Sequence, residues 1–212
     1  MDNIFICPIC GNKDQKYIGY KNNKPYCRKC IEFRGESVPN KPKEVKASAL
    51  RLDYCLSKQQ KQLSKKIIDA FLSKQDVLVY AVTGSGKTEI SYGVIQYAMS
   101  HGLNVAFAVP RKDVVIELTA RLKSAFPGNS IVPIYGGHTS ILEGDCLVLT
   151  THQLYRYEHY FDLIVMDEVD AFPFKGNDVL EAMFFRSLRA NFVLMSATPS
   201  KALVNGIKRR NG

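Results

Sequence analysis

From residue 55 onward the chain alternates short apolar runs with longer stretches of helical period. Apolar runs at residues 77–82, 104–110, 131–135, 146–150, 163–166 and 191–195 have the length of buried strands. Between them, apolar positions recur every three to four residues over 56–72, 87–100, 113–126 and 179–189, the spacing of one helix face. Strands that do not alternate with polar residues are covered on both faces, so the order predicts an α/β domain with a mainly parallel sheet. No apolar run approaches the ~18 residues of a membrane span, and the start Met1-Asp2-Asn3 lacks the basic region of a signal peptide. The expectation is a cytoplasmic protein.

The first 50 residues break this rhythm. Cys7-Pro-Ile-Cys10 and Cys27-Arg-Lys-Cys30 are CxxC pairs separated by sixteen residues, inside the spacing window of a four-thiolate zinc site. Asn22-Asn23 between them can adopt the positive φ angles of a tight hairpin. The pattern predicts a zinc module over residues 1–35, made of short strands and dependent on its metal for folding, with Cys7, Cys10, Cys27 and Cys30 as ligands. A redox CxxC is the rival, but such motifs open a helix beside a βαβ unit, and none stands here. Four thiolates leave no open coordination position, so this Zn²⁺ is structural. Cys55 and Cys146 fall outside the pattern and read as core thiols. Residues 36–50, with Pro39, Pro42 and five charged residues from Glu36 to Lys46, read as a linker, leaving 51–212 as the α/β domain.

Charge separates the two parts. Residues 1–75 hold sixteen Lys/Arg against seven Asp/Glu, and the remainder holds thirteen of each, so the whole net charge of +9 lies in the N-terminal third. That asymmetry favours a polyanionic partner, with a solvated lysine-rich surface as the plain alternative. Tyr17, Tyr20, Tyr26 and Phe33 interleave there with Lys13, Lys16, Lys21, Lys24, Arg28 and Arg34. This mixture suits base stacking with phosphate pairing, and equally suits a minimal core with a wet basic exterior.

Two phrases carry the chemistry of the larger domain. Thr83-Gly-Ser-Gly86-Lys87-Thr88 follows a strand and opens a helix, the setting of a phosphate-binding loop. Gly84 and Gly86 allow close backbone approach, Thr83 and Ser85 complete the loop, Lys87 is placed for the β- and γ-phosphates, and the Thr88 hydroxyl for Mg²⁺. Ala81 stands where the general pattern has its first glycine. Asp167-Glu168-Val-Asp170 ends another apolar run, which brings it to the same carboxyl edge of the sheet. There Asp167 suits Mg²⁺ and Glu168 suits orientation and deprotonation of an attacking water.

With Ser196-Ala-Thr198, these phrases resemble motifs I, II and III of superfamily 2 helicases. The phrases Thr83-Gly-Ser-Gly-Lys-Thr-Glu89, Pro110-Arg-Lys-Asp-Val114 and Asp167-Glu-Val-Asp-Ala-Phe-Pro173, joined to a four-cysteine module, resemble the ComFA family of late-competence ATPases in bacterial DNA uptake. The resemblance implies a RecA-like fold, ATP as the nucleotide, and passage of single-stranded DNA driven by its turnover. It assigns adenine reading to Gln60, although Ser57 and Gln60 also make a capping box. It places Arg111, Lys112, Thr151, His152 and Arg156 along the DNA backbone, with ordinary exposure as the alternative for each, and gives Ser196 and Thr198 the coupling of the phosphate site to the DNA. It also implies partners: a phosphoribosyltransferase-like late-competence protein and a membrane DNA-uptake channel, which would bring the protein to the inner face of the membrane.

Such motors close a second RecA-like domain over the nucleotide and take an arginine finger from it. The sequence ends shortly after the third motif, so the expectation is an N-terminal portion that binds ATP·Mg²⁺ and single-stranded DNA but hydrolyses slowly alone. Three alternatives stand beside this reading. A replication-restart helicase would carry Asp-Glu-x-His where this chain has Asp170. A small-molecule P-loop kinase would lack the Asp-Glu-x-Asp and Ser-Ala-Thr phrases. A non-catalytic zinc DNA-binding adaptor would tolerate Lys87→Ala.

Overall fold

The computed structural model describes residues 4–80, 86–170 and 176–211. The N-terminal module is a two-stranded antiparallel hairpin, β1 (Ile18–Lys21) and β2 (Lys24–Cys27), turned by Asn22 and Asn23 at φ 50° and 59°. Asparagine tolerates this left-handed region better than most residues, which is why the pair makes the turn.

After an extended stretch come α1 (Lys58–Leu72), β3 (Val77–Tyr80), α2 (Lys87–Ser100), β4 (Val105–Val109), α3 (Lys112–Ala125), β5 (Ile131–Ile134) and β6 (Cys146–Thr150). A 3₁₀ turn over Thr151–Arg156 then leads to β7 (Phe161–Met166), α4 (Asp178–Ser187), β8 (Leu188–Ser196) and α5 (Lys201–Asn211). The six strands β3 to β8 form one sheet in the order β3-β8-β7-β4-β6-β5, and every pair is parallel. The central strands β4, β6 and β7 are buried along their whole length, which accounts for their unbroken apolar runs.

One apolar cluster joins α1, α2 and α3 to one face of the sheet through Ile67, Ile95, Leu122 and Phe107. The other face packs against α4 and continues without a break into Cys7, Cys27, Phe33 and Val38 of the N-terminal part. The module is therefore seated on the α/β domain and shares its core. The stretch 36–50 is not a free linker. Val38 is buried and forms a parallel bridge with Tyr157, Asn40 donates to the His159 carbonyl, Lys43 Nζ donates to the Gly144 carbonyl, and Ser48 bonds Asn129. Its side chains offer little to bury, as the sequence suggested, but its polar groups find fixed partners on the domain surface, and that pins it as a strap.

Helix α5 has no counterpart in the apolar pattern because only Ile207 in it is buried. Its end is held by polar contacts to the start of β3. Arg210 Nε donates to the buried Asp76 carboxylate at 2.7 Å, and Asn211 exchanges hydrogen bonds with the Asp76 backbone at both N–H and carbonyl. Asp76 also accepts from Asn191 and from the Phe192 N–H, so one buried carboxylate ties three elements together. Cys146 lies in the core as expected, whereas Cys55 is exposed in the segment leading to α1. Among the described residues no helix is long and apolar enough to cross a membrane.

Candidate nucleotide cleft and zinc module

Strand order gathers the motifs. The carboxyl ends of β3, β8, β7 and β4 are adjacent, and from them emerge the loop before Lys87, Ser196, Asp167 and Arg111 in turn. They border a cleft of about 540 Å³ lined by Gly86, Lys87, Thr88, Asp167, Glu168 and Thr198 among others. An open parallel sheet places ligands at this edge. Thr83, Gly84 and Ser85 of the expected phosphate loop, with Ala81 and Val82, lie outside the described residues, as do 171–175, which include Phe172 and Pro173.

What is described at the cleft is polar and converging. Gly86 has φ 73° and opens α2, and a Cβ there would collide with the amide nitrogen of Gln60. Glycine meets the left-handed φ without strain, and any other side chain would have to push the Gln60 amide aside. Gln60 itself closes a capping box: its Oε1 accepts from the Ser57 N–H at 2.9 Å, and its own N–H donates to Ser57 Oγ. The capping reading of Gln60 is thus present, with its amide nitrogen turned to the entrance of α2. Lys87 Nζ sits 3.6 Å from Asp167 Oδ1, both side chains mostly buried. Asp167 Oδ1 also accepts the Glu168 N–H at 2.8 Å. Glu168 adopts φ 56°, a left-handed conformation that a non-glycine residue holds only when its surroundings impose it. Its carboxylate faces Arg111 at 3.5 Å. Ser196, buried at the end of β8, donates its hydroxyl to Asp170 and accepts the Thr198 N–H at 2.9 Å, which links the second and third motifs physically.

Two residues that carried no role in the sequence, Glu89 and Arg121, line this cleft, with Tyr54 behind them. Glu89, buried in the first turn of α2, accepts hydrogen bonds from the Tyr54 hydroxyl at 2.9 Å and from Arg121 of α3. Burial raises its pKa, but its own N–H, Tyr54 and Arg121 outweigh that and hold it below the usual carboxylate range. The position directly after Thr88, acidic on an otherwise buried helix face, was the available signal. Both arginines lining the cleft are spoken for: Arg121 by Glu89 and Glu117, Arg111 by Glu168 and Asp113.

The four cysteines converge as their spacing implied. Cys7 and Cys30 sulfurs are 3.8 Å apart, Cys10 and Cys27 sulfurs 3.8 Å apart, and all four lie within 4.8 Å of one another. A tetrahedron with Zn–S bonds of ~2.3 Å has sulfur edges of ~3.8 Å, so the donor set and its spacing fit Zn²⁺. Burial pushes Cys10 up to about 11 and Cys30 higher still, while the N–H groups of Cys10 and Ile9 hold Cys7 lower against its own burial. Ionising the whole set needs a cation at its centre.

The expected DNA-facing residues divide. Arg111 and Lys112 are exposed at the start of α3, with Lys112 Nζ 4.9 Å from the Tyr135 ring centroid. His152 and Arg156 are turned onto the N-terminal module, and Thr151 is turned inward. Thr151 is fully buried, with no partner for its hydroxyl among the described residues. The His152 ring stacks on Phe33 at 6.1 Å, and burial lowers its pKa. Arg156 donates to Gln153 and to the Glu36 carbonyl and lies over the Tyr155 ring. Tyr155 donates to the Arg34 carbonyl at 2.8 Å. The apolar Phe33 needed a seat, and the 3₁₀ turn supplies it. That removes Thr151 and His152 from an exposed nucleic-acid path.

A six-stranded parallel sheet with a cleft at its carboxyl edge and helices on both faces defines a RecA-like P-loop fold of the helicase-core kind. The chain belongs to the family described as type III restriction enzyme, res subunit, whose model matches residues 53–201. It is similar to competence protein ComFA of Bacillus subtilis (strain 168), 37% identical over 214 residues, covering 94% of this chain and 46% of that protein. Competence protein ComFA of Streptococcus pneumoniae (strain ATCC BAA-255 / R6) is 33% identical over 186 residues, covering 84% and 43%. The chain thus spans a little under half the length of these curated relatives. Among solved structures, the Sulfolobus solfataricus SWI2/SNF2 ATPase core in complex with dsDNA superimposes with a TM-score of 0.60 at 15% identity, over 73% of this chain and 34% of that one. At that identity the likeness concerns the fold.

Proposed function

We propose that this chain carries the ATP-binding face of a motor that moves single-stranded DNA during bacterial DNA uptake. The observation that carries the reading is the convergence of Lys87, Asp167 and the Asp170–Ser196–Thr198 link at one sheet edge, in a chain 37% identical to a competence protein. In this reading Gly86 and Lys87 hold the β- and γ-phosphates, Gln60 meets adenine, and Thr88 and Asp167 hold Mg²⁺. The Asp167 carboxylate fits that task because it is largely sheltered, faces Lys87 and lines the same cleft as Thr88. Bound there, Mg²⁺ neutralises phosphate charge. Glu168 orients the attacking water and accepts its proton.

The site is one face of a composite. Arg111 and Arg121 are both engaged by carboxylates, so the charge that develops on a γ-phosphate awaits an arginine from a second RecA-like domain. Arg111 and Lys112 present the exposed cations nearest the cleft to a DNA backbone. The partners in this reading are the second RecA-like domain, a phosphoribosyltransferase-like late-competence protein, and the DNA-uptake channel at the inner membrane face. The test is DNA uptake in cells whose only copy carries Lys87→Ala. Loss of uptake is expected, and wild-type uptake would mean that hydrolysis is irrelevant and that the zinc adaptor reading holds instead.

A further inference from the structure

The N-terminal module holds five aromatic residues, and Phe5 packs against the shared core. Phe33 is buried in the seat formed by His152 and Tyr155. Tyr17 is covered by two cations, with Lys29 Nζ 4.6 Å and Lys16 Nζ 4.9 Å from its ring centroid. Tyr20 projects from the opposite face of the hairpin to Tyr26, since β1 and β2 pair Tyr20 with Pro25 and Gly19 with Tyr26. The outer end of the Tyr26 ring rests against Gly19. A Cβ at Gly19 would come within 2.5 to 2.7 Å of three atoms of that ring, so the glycine is what lets the ring rest there.

Tyr26 is half-buried, so part of its ring stays open beside the hairpin. Around that ring runs a groove of about 540 Å³ lined by Lys21, Lys24, Pro25, Tyr26, Ile31 and Arg34. Lys21, Lys24 and Arg34 are exposed, and none of them has a carboxylate within ion-pair distance among the described residues. Ile31 is 49% exposed at the groove's edge. A partly open aromatic ring, an apolar rim and three unpaired cations make a stacking platform with phosphate contacts on its flanks. A paired base has its faces covered by its neighbours, so the matching ligand is an unpaired one.

We infer that Tyr26 is a base-stacking platform for single-stranded DNA, with Lys21, Lys24 and Arg34 contacting the adjoining phosphates. This rests on the proposed motor reading for the choice of DNA, and it moves part of the strand's path from the turn at 151–156 onto the outer face of the zinc module. The rigid seating of the module through Phe33 and the strap keeps this platform at a fixed position relative to the nucleotide cleft.

The experiment is anisotropy titration of the zinc-loaded 212-residue chain with a labelled thymidine oligonucleotide and with an abasic oligonucleotide of equal length. Tyr26→Ala should weaken thymidine binding about tenfold, the scale of one lost stack, and leave abasic binding unchanged. Tyr26→Phe should bind as the parent does. Gly19→Ala, which displaces the ring, should reproduce the Tyr26→Ala loss with four cysteines still holding one zinc. Lys21→Gln with Lys24→Gln should lower the salt slope by about 0.7 per lost phosphate contact. Parent-like binding by Tyr26→Ala at full zinc content overturns the platform while leaving the motor reading intact. An equal loss on both oligonucleotides overturns it too, because the face would then act by charge alone. If Tyr26→Ala loses zinc, Gly19→Ala at full zinc content decides, and parent-like thymidine binding by it overturns the platform. No binding of either oligonucleotide by the parent chain overturns both the platform and the DNA part of the motor reading.

Discussion

Arg111 and Glu168 face each other at 3.5 Å across the mouth of the cleft, at the carboxyl ends of two neighbouring strands. In the proposed reading, this tethers the residue that orients water to one that meets DNA. The pair is half-exposed and worth ~0.2–1 kcal/mol. A phosphate on Arg111 would release Glu168. Arg111→Gln should therefore raise DNA-free ATP hydrolysis by about two- to fivefold and flatten its response to single-stranded DNA. Unchanged basal hydrolysis with normal stimulation would show that the pair plays no part in coupling.

Ser196 holds Asp170 and the Thr198 N–H on one hydroxyl. Ser196→Ala leaves the Asp170 carboxylate short of a donor in a half-buried place, a cost of about 1–3 kcal/mol. Hydrolysis should fall about tenfold, while nucleotide affinity changes little. Steady-state rates and an equilibrium nucleotide titration on one preparation separate the two.

The four-cysteine site belongs to the seat of the module as well as to its hairpin, because Cys7, Cys27 and Cys30 share a cluster with Phe33, Tyr155 and Tyr157. Chelation, or Cys27→Ser, should open residues 4–40 to trypsin and leave the α/β domain resistant. Mass spectrometry of the limit digest reads this directly. Cleavage spread evenly through the sheet domain would contradict a separable module.

His152 gives the seat an acid limit. Burial holds its pKa below the ordinary 6.5, with Glu32 pulling the other way to a smaller degree. Below pH ~6.5 the unfolded chain takes up a proton that the folded one refuses, so stability is lost as pH falls through the folded pKa of His152. His152→Phe, which keeps the stack on Phe33, should shrink the drop in melting temperature between about pH 7.5 and about pH 5.5. An identical drop in both proteins would place the acid sensitivity on other groups.

The sheet was readable because β4, β6 and β7 are buried on both faces and so had to be apolar throughout. The cleft residues were readable for a related reason: Asp167 directly follows β7, Ser196 ends β8, and Lys87 and Thr88 follow the loop after β3. Helix α5 was not, since its anchor is Asp76, 134 and 135 positions away from its partners Arg210 and Asn211. The strap at 36–50 looked like a linker because its fixing groups are backbone and polar atoms that leave no apolar signature. The turn at 151–156 read as a DNA contact through the family resemblance, and nothing local reveals that Phe33 occupies its face. Tyr54, Glu89 and Arg121 meet only through the packing of α2 on α3 and the segment before α1.

The central claim is that Lys87 and Asp167 form the phosphate and Mg²⁺ side of a nucleotide site. Its most direct measurement is equilibrium titration of the chain with a fluorescent ATP analogue, with and without Mg²⁺, alongside Lys87→Ala and Asp167→Asn. The expected result is saturable one-to-one binding, weakened at least about tenfold by Lys87→Ala, the scale of losing a charged contact to phosphate. Asp167→Asn should remove the Mg²⁺ dependence. Equal affinity for all three proteins, or binding indifferent to Mg²⁺ in the parent, would contradict it.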